Sequence, residues 1–274
     1  MSASFIMFIL SFLACSLLLP LVVNMMERAG NTRLNYEGRR IPTSLGLVFI
    51  LILVPVSLVA VETGIMPLED AMPPLFFLCA VGLVGLLDDL LGQSEVKGFR
   101  GHIGALIFER RLSTGALKAI FTGFSSLLLA MIIEQTFAGV MLSALIIALA
   151  TNLINLLDLR PGRAAKAYLA GVILLALAWG AGRPGGSLFY LSPLTGIVLA
   201  YIRTDLRAKG MMGDTGSNIL GGALGYGLAA GTRGIARFGV LAVLLFIQAY
   251  AERWSISRAI ENNRLLRFLD NLGR

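Results

Sequence analysis

The chain has 274 residues, of which 57% are hydrophobic and only 14% charged, against roughly 25% charged in an ordinary globular protein. That balance argues against a soluble domain, and apolar runs of about 20 residues, enough to cross a bilayer, recur along the chain. With two cysteines and one histidine, neither residue type can build a zinc site alone. Nine spans are predicted, over residues 4–24, 42–61, 71–91, 115–133, 136–155, 164–182, 186–202, 215–231 and 235–252, so the expected fold class is an all-α polytopic transmembrane bundle. The first span has no basic leader and no cleavage signal, and it reads as a retained helix. Cys15 and Cys79 lie inside apolar runs and read as small buried hydrophobes. No linker or repeat divides the chain, which is taken as one membrane domain over 1–274.

Basic residues mark one side of this arrangement. The connections after odd-numbered spans hold Arg28, Arg33, Arg39 and Arg40, then Lys97, Arg100, Arg110, Arg111 and Lys118, then Arg160, Arg163 and Lys166, then Arg203, Arg207 and Lys209. The tail adds Arg253, Arg258, Arg264, Arg267 and Arg274, and only Arg183, Arg233 and Arg237 fall opposite. The positive-inside rule makes the rich side cytoplasmic, with the N-terminus outside and the C-terminus inside. Such a face suits anionic lipid headgroups or a phosphate-bearing substrate better than nucleic acid. The long connection 92–114 is expected to form a short hairpin or a surface-lying segment, with a local role for His102. In the tail 252–274, Leu265, Phe268, Leu269 and Leu272 recur at helical spacing, with Arg264, Arg267 and Asp270 around them. This predicts an amphipathic helix, either lying on the inner membrane surface or packed on the protein.

Carboxylates beside apolar spans are costly and usually have a role. Asp88 and Asp89 end the third predicted span, Asp158 ends the fifth and Asp214 opens the eighth, all at the same expected depth. Adjacent Asp88 and Asp89 point about 100° apart on a helix, which suits two different tasks. Asn152, Asn155 and Asp158 step by three along one broad face. Gly213, Asp214, Thr215 and Gly216 turn into a helix whose N-terminal N–H groups suit phosphate, and Asp214 can offer oxygen to Mg²⁺. Asp214 could equally be a helix cap, and an exposed acidic pair could simply be solvated.

These motifs resemble those of the polyprenyl-phosphate N-acetylhexosaminyl-1-phosphate transferases. Asn31-x-Arg33 and Ile41-Pro42-x-x-x-Gly46 resemble the family's first cytoplasmic loop, and GLLDD (85–89) its aspartate pair. NLINLLD (152–158) is similar to its NxxNxxD motif, and GDTGS (213–217) to its GDxGS motif. The resemblance implies an enzyme of bacterial cell-envelope glycan synthesis, such as peptidoglycan synthesis, in the plasma membrane. A polyprenyl phosphate would attack the β-phosphate of a UDP-amino sugar, releasing UMP, with Mg²⁺ as cofactor. Asp214 would ligate the metal, Asp88, Asp89 and Lys118 would act at the phosphates, and Asn152, Asn155 and Asp158 would line the nucleotide side. The implied partners are polyprenyl (undecaprenyl) phosphate, a nucleotide-sugar donor, membrane lipids and, optionally, a second copy in a homodimer; nucleic acid is not among them. Two departures stand out: Pro161 occupies the family's second acidic position after Asp158, and no histidine follows His102. The alternative reading is therefore a non-catalytic relative that binds polyprenyl phosphate or a partner to regulate envelope synthesis. A transporter would favour charges near mid-membrane, which the predicted spans lack.

Overall fold

The structure, a computed structural model, describes residues 3–92, 113–179 and 187–274. The connection expected to form a hairpin or surface segment lies outside the described residues over 93–112, with His102, Lys97, Arg100, Arg110 and Arg111; so does Arg183.

Among the described residues, long helices follow all nine predicted runs: α1 (Ala3–Arg28), α2 (Leu47–Glu62), α3 (Leu68–Leu91), α4 (Thr114–Ile133), α5 (Phe137–Leu157), α6 (Arg163–Trp179), α7 (Ser187–Leu206), α8 (Gly213–Gly231) and α9 (Ile235–Arg253). Two short helices close the chain, α10 (Ile256–Asn262) and α11 (Arg264–Asn271). Five helices, α1, α3, α4, α5 and α9, are long and apolar enough to cross a membrane. The apolar α2 has only 16 residues, about 24 Å of helix.

The second helix begins five residues later than predicted because the chain does something else first. Strands β1 (Thr32–Leu34) and β2 (Arg40–Pro42) form an antiparallel hairpin with Arg33 opposite Ile41. Among the described residues, the bundle is all-α apart from this short hairpin. Residues 43–46 then make a turn in which Ser44 takes a left-handed backbone, φ 61°. Leu45 and Gly46 donate backbone N–H groups to the carbonyls of Met211 and Met212 at 3.1 and 2.9 Å, and Met211 donates to Pro42 at 2.9 Å. The hairpin is thereby stitched to the approach to α8.

At the centre of the bundle stands α8, with 14 of its 19 residues buried. Protein rather than lipid surrounds it, which is why a helix so rich in Gly, Ser, Thr and Asn is tolerated at this position. A Cβ on Gly221 would lie 2.6 Å from the Cα of Thr151, and one on Gly225 2.8 Å from the Cα of Ile147. The Gly-x-x-x-Gly face of α8 therefore lies against the backbone of α5 with no side chain between. By contrast, α9 buries only Leu244, and its exposed Phe238, Val243 and Phe246 suit a lipid-facing helix.

The tail returns to the bundle. Arg163, at the start of α6, forms a two-pronged ion pair with Asp270 of α11, Nε to Oδ1 and Nη2 to Oδ2, both at 2.9 Å. Both partners are buried. Burial acts to raise the Asp270 carboxyl, but the Arg163 bonds and the charges of Arg163, Arg274 and Lys166 prevail and hold it below the ordinary carboxylate range. A depressed carboxylate contributes stability that is present above about pH 4, its ordinary value, and is lost as pH falls through the depressed value. Acidification below about pH 4 is therefore expected to release α11, seen as faster proteolytic trimming of residues 254–274. In Asp270→Ala, trimming should already be fast at neutral pH, since a buried cation left alone costs about 3–5 kcal/mol.

Candidate functional site

The site forms at one end of the bundle, where α3, α4, α5, α7 and α8 end or begin. Close backbone approach creates it. A Cβ on Gly85 would overlap the carbonyl of Asp214, and one on Gly46 would overlap the backbone of Gly216. Gly213 adopts φ 70° and lies directly against the Asp89 carboxylate; glycine alone takes this conformation without strain. With no side chains in the way, the end of α3 lies against the N-terminus of α8.

Asp88 and Asp89 face different partners. Asp89 is only 6% exposed and uses both its oxygens on α8. Its Oδ1 accepts the Asp214 N–H at 2.8 Å, and its Oδ2 accepts the Thr215 N–H at 3.1 Å and the Thr215 hydroxyl at 2.6 Å. The first turn of a helix leaves N–H groups without partners, and here a carboxylate from another helix supplies them, with its charge at the positive dipole end. Arg33 of the hairpin donates to the Asp89 carbonyl at 2.5 Å, so the first connection also closes on this corner.

Asp88 points instead toward Lys118. Ser113 caps α4 through the Ala116 N–H at 3.2 Å, which fixes the turn that carries Lys118. The Lys118 ammonium lies 3.0 Å from Asp88 Oδ2 and pairs with Asp214 Oδ2 as well. Side-chain exposures of 18–28% leave all three reachable from one side. Asp214 is a cross-bundle ion-pair partner and receives no side-chain cap of its own helix. Two carboxylate oxygens thus converge on one cation. This is the hard-oxygen donor set that Mg²⁺ takes when it is held by one or two carboxylates and substrate phosphates, so these residues fit the metal. No group of three or more acidic, His or Cys side chains suited to a metal occurs among the described residues.

The asparagines join helices. Asn155 donates to Asn218 Oδ1 at 3.0 Å, and Asn218 donates to the Val81 carbonyl at 3.3 Å, linking α5, α8 and α3. Asn152 donates to Gln248 of α9 at 2.7 Å. Asp158 closes the C-terminus of α5 and is half-buried. Burial pushes its carboxyl well above the ordinary range, and the nearby carboxylates of Asp205, Asp214 and Asp89 add to the effect.

Asp205, Asn218 and Arg33 belong to this corner, yet the motifs alone assign only Arg33 a place, in the first loop. Asp205 is buried, and its Oδ2 accepts the Gly162 N–H at 2.9 Å. It therefore fixes the turn that follows Asp158, the stretch where Pro161 stands at the second acidic position. A signal for Asn218 was present as an amide directly after GDTGS. Asp205 gives no such sign, because in sequence it sits among solvated arginines.

A buried helix capped by a foreign carboxylate, beside a carboxylate–ammonium cluster at one end of a membrane bundle, defines a membrane protein with a polar site at its helix ends. Residues 72–251 match the model of glycosyl transferase family 4, and the chain belongs to that family. The match includes every site residue above except Arg33 and Gly46, and it stops before α10 and α11. Among relatives, the chain is 29% identical over 231 residues to a phospho-N-acetylmuramoyl-pentapeptide-transferase of Clostridium perfringens, spanning 79% of this chain and 70% of that protein. It is 28% identical over 238 residues to the enzyme of the same name from Clostridium kluyveri, spanning 80% and 72%.

Proposed function

We propose that the chain transfers a sugar 1-phosphate from a nucleotide-activated amino sugar, with UDP the expected carrier, to a polyprenyl phosphate. In this reading it works in bacterial cell-wall synthesis, at the cytoplasmic face of the plasma membrane, through nine spans with the N-terminus outside. The convergence of Asp88, Lys118 and Asp214 beside the N-terminus of α8 carries the reading. Family membership and the names of the relatives support it.

Phosphoryl-type transfer needs positioning and charge stabilisation more than covalent help from the protein. An oxygen of the lipid phosphate would bond to the β-phosphorus, and the bond from that phosphorus to the bridging oxygen of the nucleotide would break, releasing the nucleoside monophosphate. Mg²⁺, held by Asp214 with Asp88, would neutralise the diphosphate. Lys118 would hold negative charge developing on the transferred group and keep the two carboxylates at a fixed separation. Asp88, half-buried beside Lys118, would accept a proton from the lipid phosphate. Asp89 would act by holding Asp214 and the α8 N-terminus in place. Asp158, with its raised carboxyl, and the Asn155–Asn218 pair would border the nucleotide.

A second reading, a non-catalytic lipid-binding relative, is favoured by Pro161 at the second acidic position. Incubation of the purified chain with undecaprenyl phosphate, Mg²⁺ and a panel of nucleotide sugars separates the two. Transfer predicts release of a nucleoside monophosphate with at least one donor, abolished by EDTA and in Asp214→Asn. Binding of undecaprenyl phosphate without release from any donor would establish the second reading.

A further inference from the structure

Helix α11 has two faces with opposite properties. Its Asp270 face is fastened to the bundle. Besides the ion pair with Arg163, Lys166 donates to the carbonyls of Leu269, Asp270 and Leu272 at 2.8, 2.5 and 3.3 Å, which satisfies the C-terminal end of the helix. Arg274 donates to the Pro161 carbonyl at 2.9 Å, and Arg163 also reaches Ser257 of α10 at 2.8 Å. These anchor points, Pro161, Arg163 and Lys166, directly follow Asp158. The turn they flank is held from its other side by Asp205 through the Gly162 N–H. Through these bonds the tail forms a strap over the turn that closes α5.

The other face is apolar and open. Leu265 is 65% and Phe268 62% exposed, and Leu269 and Leu272 are about half exposed. Four large hydrophobic side chains within eight residues, on a helix whose polar side is already engaged, call for a covering surface. Arg264 and Arg267 flank them and are exposed, without an acidic partner among the described residues. At the foot of α9, where the tail begins, Trp254 is 56% exposed, an aromatic residue of the type that settles at the membrane–water boundary. A helix with an apolar face and a basic rim, in a tail that leaves the end of a lipid-facing span, matches an interfacial membrane helix.

We propose that α11 is a docking surface for anionic lipid. Its Leu265, Phe268, Leu269 and Leu272 face would enter the headgroup boundary, and its Asp270 face would transmit that seating to the 158–162 turn. The lipid is that of the cytoplasmic leaflet, which rests on the orientation proposed above. Anionic lipid then stabilises the docked strap and, with it, the border of the site. Each arginine near an anionic surface contributes about a fivefold gain.

The test uses the full chain in nanodiscs of phosphatidylcholine, with and without phosphatidylglycerol. A nitroxide on Phe268→Cys, with Cys15 and Cys79 replaced by alanine, is expected to be accessible to oxygen and shielded from a water-soluble nickel chelate. Hydrogen exchange over 158–162 is expected to slow by about fivefold or more when phosphatidylglycerol is added. In the unlabelled chain, Arg264→Gln with Arg267→Gln, both at exposed positions, should remove that lipid dependence without unfolding the bundle. A nickel-accessible label, exchange indifferent to lipid charge, or protection that rises with protein density and so reports a second copy would each overturn the proposal. None of these readouts requires turnover. Lipid-dependent protection in a chain that releases no nucleotide would sustain this inference while overturning the transferase reading.

Discussion

Replacement of Lys118 by methionine is expected to lower the rate of transfer by about 10³-fold, the magnitude associated with losing a preorganised charge at a transferring group. The ammonium is the only cation between Asp88 and Asp214 among the described residues, 3.0 Å from the first and paired with the second. Methionine has a similar length and no charge, so the helices can remain packed while the two carboxylates face each other unscreened. The loss should fall mainly on kcat, since the charge matters most when negative charge moves onto the transferred group. Lys118→Arg should recover part of the rate, because it restores the charge without the compact single-point geometry of an ammonium. Equal activity in Lys118→Met and the wild type would remove Lys118 from the mechanism.

The second large effect is on stability. Asp89→Ala removes the acceptor for two backbone N–H groups and one hydroxyl at the start of α8, in a corner too buried for water to replace it. Charge-assisted hydrogen bonds are worth about 1.5–3 kcal/mol each when lost from a buried group, and their shared loss is expected to cost about 3 kcal/mol or more. A thermal unfolding midpoint in detergent reads this directly. Asp88→Ala is the contrast. It removes an ion-pair partner from a half-open site, so its midpoint should move little while its rate falls. Similar midpoints for the two alanine variants would show that Asp89 does not hold α8.

That asymmetry also marks where sequence reasoning reaches its limit. Helical geometry requires adjacent Asp88 and Asp89 to point in different directions, but it cannot say which one meets α8. The answer lies in Gly85 and Gly213, whose missing side chains let the two backbones close on the Asp89 side. The long helices were legible because the length of an apolar run is set by the bilayer and needs no knowledge of neighbours. The convergence of Asp88, Asp158 and Asp214 at one end was legible for the same reason, since each lies at the end of such a run. The β1–β2 hairpin was not. Its strands are three residues long with no apolar alternation, and they are fixed by pairing across 43–46 and 211–212 rather than by local preference. Asp205 was hidden because burial is a property of the fold, and in sequence it stands among Arg203, Arg207 and Lys209. The tail was half legible: its amphipathic pattern is plain in residues 264–272, but only the Arg163–Asp270 pair shows that the polar side docks on the bundle.

If the carboxylate–ammonium cluster transfers a sugar phosphate, the β-phosphate itself must move to the lipid. A nucleotide amino sugar labelled at that phosphorus would be incubated with undecaprenyl phosphate, Mg²⁺ and the full chain. The label is expected to enter the lipid fraction while nucleoside monophosphate accumulates in water, and Asp214→Asn is expected to abolish both. Label left in released nucleoside diphosphate while the sugar enters the lipid would mean attack at the sugar carbon, and would contradict transfer of a sugar phosphate.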